Sequence, residues 1–261
     1  MPMLDRGPAQ PIVIAGDWHG DQGWALAVIR SAARSGAQTI LHVGDFALDW
    51  PGLKRARYED RLNRRLIECD IELIVSGGNH DNWDTLMSLS PQEDGLGTFR
   101  SNIRVLPRGG RAQIGGLTIG ALGGAYSVDQ EHRTEGKDWW ANEEPSESEA
   151  QRLVDGGPVD VLLTHDAPAG VAIAEKFDLP IDVRRRADRT RTLLREVVDS
   201  LVPPHVFCGH WHQRRSQEII HRDGRITRVD VLDKEKSRVG NAVLVWPDEV
   251  PLRVEPLVVR G

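Results

Sequence analysis

The sequence predicts an α/β protein built on two β-sheets, and three observations carry that prediction. Up to Leu89, apolar runs of strand length alternate with segments of helical period, the pattern of a sheet wound by crossover connections. From Asn102 to Leu122 the runs become short and glycine-separated, with no helix between them. This reads as the start of a second, antiparallel sheet. Five of the strand runs end directly in Asp, Asn or His, and the carboxyl ends of strands are where open α/β sheets build their sites.

The first run, Pro11 to Ala15, stops at Gly16-Asp17-Trp18-His19-Gly20. A capped turn would explain Asp17 but not the imidazole two residues on. Asp21 to Ser35 carries Trp24, Val28, Ile29 and Ala32 at helical spacing, and Gly36 stops it. Gln38 to Val43 is the second strand and ends in Gly44-Asp45. Leu53 to Cys69 reads as a charged helix with a thin apolar seam at Leu62, Leu66 and Ile67, its basic residues interleaved with acids as on a solvated face. The third strand, Ile71 to Ser76, delivers Gly77-Gly78-Asn79-His80-Asp81. Paired glycines let the chain turn sharply there and present an amide, an imidazole and a carboxylate. Asn82 to Leu89 is a short helix.

Ile103 to Leu106, Arg111 to Ile114 and Leu117 to Leu122 are the short strands that begin the second sheet. A long polar segment, 126–157, follows. Ser146 with Glu149 makes a capping-box signature, which places a helix over Glu147 to Val154. The earlier part holds Asp129, His132, Arg133 and the pair Trp139-Trp140. So long a loop inside a domain is functional or disordered. Adjacent tryptophans weigh against disorder, so a flap over the site is expected.

Val159 to Leu163 is a buried strand ending at Thr164-His165-Asp166. Ala187 to Leu201 is a helix with Leu193, Leu194, Val197, Val198 and Leu201 on one face, preceded by Arg184-Arg185-Arg186. His205 to Cys208 is the next strand and ends in Gly209-His210-Trp211-His212. Glu218 to Ile220, Ile226 to Leu232 and Ala242 to Trp246 would finish the second sheet. With no repeat, low-complexity tract or linker, a single domain over 1–261 is expected.

Composition excludes several classes. Charged residues make up 28% and hydrophobic residues 39%, as in ordinary soluble proteins. A net charge of −6 does not suit an extended nucleic-acid-binding surface. No apolar run approaches membrane length, and residues 1–11 lack the apolar core of a leader. Two cysteines, Cys69 and Cys208, make no disulfide framework and fit a reducing compartment. The expected location is the cytoplasm.

Gathered from the strand ends, Asp17, His19, Asp45, Asn79, His80, His165, His210 and His212 form a set that chance does not assemble. Seven ligands suffice for two divalent ions if one carboxylate bridges. Imidazole, carboxylate and amide oxygen suit borderline transition metals, and no thiolate is needed. Trp18 and Trp211 lie inside these motifs, with Trp50 and Trp83 just after others; four tryptophans beside candidate ligands suggest a pocket wall.

The order Asp-x-His, Gly-Asp, Gly-Asn-His-Asp, His, Gly-His-x-His, from Asp17 to His212, resembles that of the calcineurin-like metallophosphoesterases. The resemblance implies two packed mixed β-sheets flanked by helices. It implies that Asp17, His19 and His212 hold one metal, that Asn79, His165 and His210 hold the other, and that Asp45 bridges. His80 would protonate the leaving oxygen or steady the phosphate, and Asp81 would orient His80. Manganese is the first expectation for the metal pair, with iron, zinc, cobalt or nickel as alternatives. The substrate would be a small phosphate ester or nucleotide.

Departures from the family pattern narrow the substrate. Protein-phosphatase members resemble Gly-Asp-x-Val-Asp-Arg-Gly and Arg-Gly-Asn-His-Glu, whereas Asp45 is followed by Phe46-Ala47-Leu48-Asp49-Trp50 and Gly77 stands where the second arginine would be. Guanidinium forks match the oxygens of a dianionic monoester, so their absence points to phosphodiesters, cyclic nucleotides included. Trp18, Trp50, Trp83, Trp211, Trp139 and Trp140 are candidate stacking surfaces for a base. The alternatives are a phosphomonoesterase or protein phosphatase of the same family that recruits Arg184, Arg185 and their neighbours up to Arg191 to the phosphate, and a metal-free scaffold or binding protein.

Overall fold

The computed structural model describes residues 10–174 and 179–260. Most of the N-terminal stretch expected to lack a leader therefore lies outside the described residues. In chain order the elements are β1 (Ile12–Ala15), α1 (Gln22–Arg34), β2 (Thr39–His42), α2 (Arg57–Cys69), β3 (Glu72–Val75), α3 (Trp83–Ser88), β4 (Gly97–Arg100), β5 (Ile103–Val105), β6 (Gly110–Ile114) and β7 (Leu117–Leu122). A short 3₁₀ turn (Gln130–His132) and α4 (Glu147–Asp155) follow. The chain then runs through β8 (Val161–Thr164), α5 (Ile181–Leu201), β9 (His205–Cys208), β10 (Arg215–Ile220), β11 (Ile226–Val231), β12 (Ala242–Trp246) and β13 (Arg253–Pro256).

The helices begin where side chains replace missing backbone partners. Asp21 accepts from the Trp24 amide at 3.0 Å, Asn82 accepts from the Thr85 amide at 3.2 Å, and Ser146 and Glu149 form the expected capping box. The long α5 starts six residues before the apolar periodicity does, because its first turns lie outside the core: Ile181, Asp182, Arg185 and Arg186 are exposed. The seam of α2 is thinner than expected: Leu62 and Leu66 are buried, while Ile67 faces solvent.

The strands form two mixed sheets, ordered β13-β12-β1-β2-β3-β5-β4 and β10-β11-β9-β8-β7-β6. Strand alternation sorts their side chains into three apolar layers. Val13, Ala15, Ile40, Leu73 and Val75 pack against α1 and α2. Ile12, Ile14, Leu41 and Ile74 meet Ile119, Val161, Leu163 and Phe207 between the sheets. Leu162, Val206 and Cys208 face α4 and α5. The result is a helix–sheet–sheet–helix sandwich.

Two sheet assignments made from sequence need correction. Ile103–Val105 does not open the second sheet; it pairs in parallel with β3 in the first. Ala242–Trp246 does not close the second sheet but pairs antiparallel with β1. Both are short apolar strands that would satisfy either sheet by composition, and only long-range pairing assigns them. The antiparallel reading holds for β6 with β7, whereas β7 with β8 and β8 with β9 are parallel.

Candidate metal centre

Parallel strands β1, β2 and β3 of one sheet and β8 and β9 of the other bring their carboxyl-terminal loops together. Asp17 and His19 follow β1, Asp45 follows β2, and Asn79 and His80 follow β3; His165 follows β8, and His210 and His212 follow β9. The chain turns hard at five of these residues. Asp17, His19, Asp45, His210 and His212 all have positive φ, between 43° and 65°. Such conformations are costly for residues with a side chain and cluster at functional sites. Two glycines permit the close approach. A Cβ on Gly78 would overlap the Asp45 amide, and one on Gly209 would overlap the Asp17 carboxylate.

The imidazoles and carboxylates converge on Asp45. One carboxylate oxygen lies 3.2 Å from His19 Nε2 and the other 3.1 Å from His165 Nε2. The Asn79 side-chain oxygen lies 3.1 Å from both His165 Nε2 and His210 Nδ1. His212 Nε2 is 3.6 Å from Asp17 Oδ2. Two groups, His19–Asp45–His212 and Asp45–His165–His210, each place their donor atoms within 4.8 Å of one another, and Asp45 belongs to both.

Partners outside the cluster fix which atoms face inward. His19 Nδ1 meets Glu235 Oε2 at 2.8 Å, and His165 Nδ1 donates to the Val43 carbonyl at 2.9 Å. Both rings thus turn Nε2 inward, toward Asp45. Asn79 Nδ2 donates to Ser127 Oγ at 3.0 Å, and Ser127 Oγ in turn donates to Glu143 Oε2 at 2.8 Å. That chain turns the Asn79 oxygen toward the two histidines.

The buried charges of the cluster act strongly on one another. Burial alone would raise the Asp45 carboxyl, but the His165 charge and the hydrogen bonds from His165 and His19 hold it well below the usual range. Burial raises Asp17 to about 7. Burial works against charge on His19 and His165, yet Asp45 lifts them to about 9 and about 10. Protons on those two rings thus neutralise the buried carboxylates. Burial, with the neighbouring His19 charge, drops His212 to about 3. The buried Asp17 Oδ1 has no hydrogen-bond partner among the described residues. A buried carboxylate oxygen is rarely left so, and a divalent ion satisfies it. The residues therefore fit a metal.

The remaining expected site residues separate into those in the site and those outside it. His80 stands at the edge, its amide donating to Asp45 Oδ1 at 2.8 Å. Its ring lies against Trp50 with centroids 6.1 Å apart and planes at 21°, and Trp50 Nε1 donates to the His80 carbonyl at 2.7 Å. Burial lowers His80 to about 4; the Asp45 charge opposes this and the Arg133 guanidinium adds to it. Asp81 does not orient this ring. It is buried, and its oxygens take the amides of Gly78, Leu48 and Phe46 at 2.7, 2.8 and 3.4 Å, so it ties the third strand-end loop to the second.

Trp211 lines the cleft beside His210 and His212, anchored by its Nε1 to Asp166 Oδ1 at 2.7 Å. Trp18, Trp83 and Trp140 are buried in the core, so their faces are taken by protein. Trp139 is half-buried within the 126–157 segment. Arg185 faces a separate groove between α4 and α5, with Glu144 and Glu147. Arg184 lies half-buried on the first turns of α5. Sequence reasoning assigned no role to Glu235, Ser127, Glu143 or Arg133. For Ser127, Arg133 and Glu143, the sequence signal was their place in the long polar segment that holds Trp139-Trp140.

The cleft over the cluster measures about 480 Å³; Asp45, Asn79, His80, His210 and His212 line it together with Val128, Asp129, Arg133, Leu179, Ala187 and Trp211. Among the described residues no helix is long and apolar enough to cross a membrane. No curated protein matches the chain significantly. Solved structures do. TT1561 of Thermus thermophilus superposes with a TM-score of 0.59 at 13% identity, over 95% of this chain and 99% of that one. A dimetal phosphatase from Danio rerio superposes with a TM-score of 0.58 at 13% identity, over 98% of each. At such identity the likeness is one of fold. The family model for calcineurin-like phosphoesterases matches residues 10–214, more than half of the chain and every candidate ligand: the chain belongs to the calcineurin-like phosphoesterase family.

Proposed function

We propose that this chain is a single-domain, dinuclear metal-dependent phosphodiesterase acting on small esters of nucleotide size, with manganese the first candidate for both ions. The carrying observation is the position of Asp45, which belongs to two three-residue groups and turns one carboxylate oxygen to His19 and the other to His165. In this reading Asp17, His19 and His212 hold one ion, Asn79, His165 and His210 the other, and Asp45 both. When bound, such a pair supplies a water of lowered pKa and neutralises phosphoryl charge.

The protein's own groups do the rest. Trp50 stacks His80 in place beside the cluster, within reach of a leaving oxygen. An anionic phosphoryl group beside that ring favours its charged form, which prepares it to donate a proton. The apolar part of the cleft, Val128, Leu179, Ala187 and the Trp211 ring, receives the ester group and excludes water from it. A diester has such a group on both sides of phosphorus, which is why the diester reading is preferred. The 126–157 segment closes over the site as a flap, supported by the cleft contacts of Val128, Asp129 and Arg133.

The experiment is a manganese-supplemented panel of bis-p-nitrophenyl phosphate, p-nitrophenyl phosphate, 2′,3′- and 3′,5′-cyclic nucleotides and a phosphopeptide. Higher kcat/KM on the diesters supports the proposal. Preference for p-nitrophenyl phosphate or the phosphopeptide overturns the diester assignment. Inactivity on every ester, with no metal retained, overturns the enzyme assignment.

A further inference from the structure

The cleft contains a guanidinium that the family motifs do not account for. Arg133 sits on the 126–157 segment with its side chain only 11% exposed. Its Nε and Nη2 hold the Asp129 carboxylate, each at 2.9 Å, and Nη1 donates to the Asp138 carbonyl at 3.2 Å. A guanidinium has five N–H groups. These contacts use three, leaving one on each terminal nitrogen. Both turn to His80: Nη1 lies 3.1 Å from Nδ1, and Nη2 lies 2.9 Å from Nε2.

That pairing is chemically incomplete. A neutral imidazole has one acceptor nitrogen and one N–H, so only one of the two Arg133 contacts is a hydrogen bond. The other sets donor against donor. What satisfies both N–H groups of such a fork is a pair of anionic oxygens. The fork is paired with Asp129 and opens on the same cleft as Asp45 and His80.

We propose that Arg133 is a phosphate-binding residue of this site, which exchanges its half-made contact with His80 for two non-bridging phosphoryl oxygens of the bound ester. The inference rests on the phosphoesterase reading above and deepens it. The arginines absent from the second and third strand-end loops are replaced by one delivered from the flap, and its departure from His80 frees that ring to meet the leaving oxygen. Because the fork reads the phosphoryl group and not the leaving group, its contribution is equal for good and poor leaving groups.

The test uses the manganese-loaded protein and inorganic phosphate as the probe. Titration calorimetry measures the phosphate Kd, and kcat/KM is measured for a p-nitrophenyl ester and an alkyl ester. Arg133→Ala is expected to weaken phosphate about 10- to 100-fold, the span of hydrogen bonds to charged groups, and to lower kcat/KM by a similar factor on both esters. Arg133→Lys, which keeps the charge but not the fork, is expected to recover only part, and it serves as the primary variant if the alanine form does not fold. Asp129→Asn is expected to give an intermediate loss. A phosphate Kd within twofold of the parent in the alanine and lysine variants overturns the proposal, as does a failure of the metal-loaded parent to bind phosphate. A rise in turnover in Arg133→Ala also overturns it, since the arginine would then only obstruct His80. If the parent binds phosphate through Arg133 but hydrolyses no ester, the activity reading fails while the phosphate site stands.

Discussion

Glu235 Oε2 lies 2.8 Å from His19 Nδ1, across 216 residues of sequence. The carboxylate holds one ring nitrogen so that the other faces Asp45, and the Glu235 amide donates to the Asp17 carbonyl at 2.8 Å. One loop thus braces both ligands that follow β1. Glu235→Gln keeps the shape but removes the charge that makes His19 a stronger donor. Outer partners of this kind are worth about 10- to 100-fold in metal affinity. Calorimetric manganese titration of the variant is expected to show one site weakened by that factor and the other within threefold of the parent. Equal affinity at both sites would remove Glu235 from metal binding.

Asp45→Asn is expected to lower metal content at both sites and to abolish turnover. An amide carries no charge and offers one oxygen where the carboxylate offers two, each facing its own group of imidazoles. Metal analysis after gel filtration checks this. Two ions retained per chain with near-parent activity would show that Asp45 does not bridge.

His80→Ala and Asp81→Asn should differ in kind, since the two side chains have different partners. An acid matters only where the leaving oxygen needs a proton. His80→Ala is therefore expected to slow cyclic-nucleotide hydrolysis about 10²- to 10⁴-fold and bis-p-nitrophenyl phosphate far less. Asp81 gathers three backbone amides. Asp81→Asn leaves at least one buried donor unpaired, a loss of about 1–3 kcal/mol, seen as a lower urea midpoint with no selectivity between leaving groups. The measurements are kcat on both substrates and a urea unfolding curve.

Glu143 gives a pH signature. Burial raises its carboxyl to about 7, against the lowering effect of its bonds from Ser127. The native state then binds this proton more tightly than the unfolded chain does. Between about 4.5 and about 7 the unfolded state holds fewer protons, so stability falls as pH rises through that window and levels off above it. Glu143→Gln removes the term. Comparing metal-free parent and variant, the parent is expected to lose about 2 kcal/mol more than the variant between pH 5 and pH 8, read from urea unfolding at each pH. Parallel pH profiles would show that Glu143 is ionised throughout.

The sequence alone was enough to place Asp17, His19, Asp45, Asn79, His165, His210 and His212 at a common site. Each follows a short apolar run within four residues, and parallel strands in a sheet put their carboxyl ends on one edge. The information is local: strand, stop, ligand. The helices α1, α3 and α4 were readable for the same reason, since their caps and periodicity lie within a few residues. What the tertiary structure decided depends on distant partners. Composition could not choose a sheet for β5 or β12, because an apolar strand satisfies either. Neither Trp18 beside His19 nor Trp83 just after Asp81 could be known to face the core until the layers closed around it. Adjacency pairs Asp81 with His80, but its oxygens turn to the loop after Asp45, 33 and 35 residues away. Arg133 meets His80 across 53 residues, and Glu235 meets His19 from the far end of the chain. Sequence order carries the candidate ligands because each lies within a few residues of a strand end. The groups that orient those ligands arrive by packing, and packing distance has no fixed relation to separation along the chain.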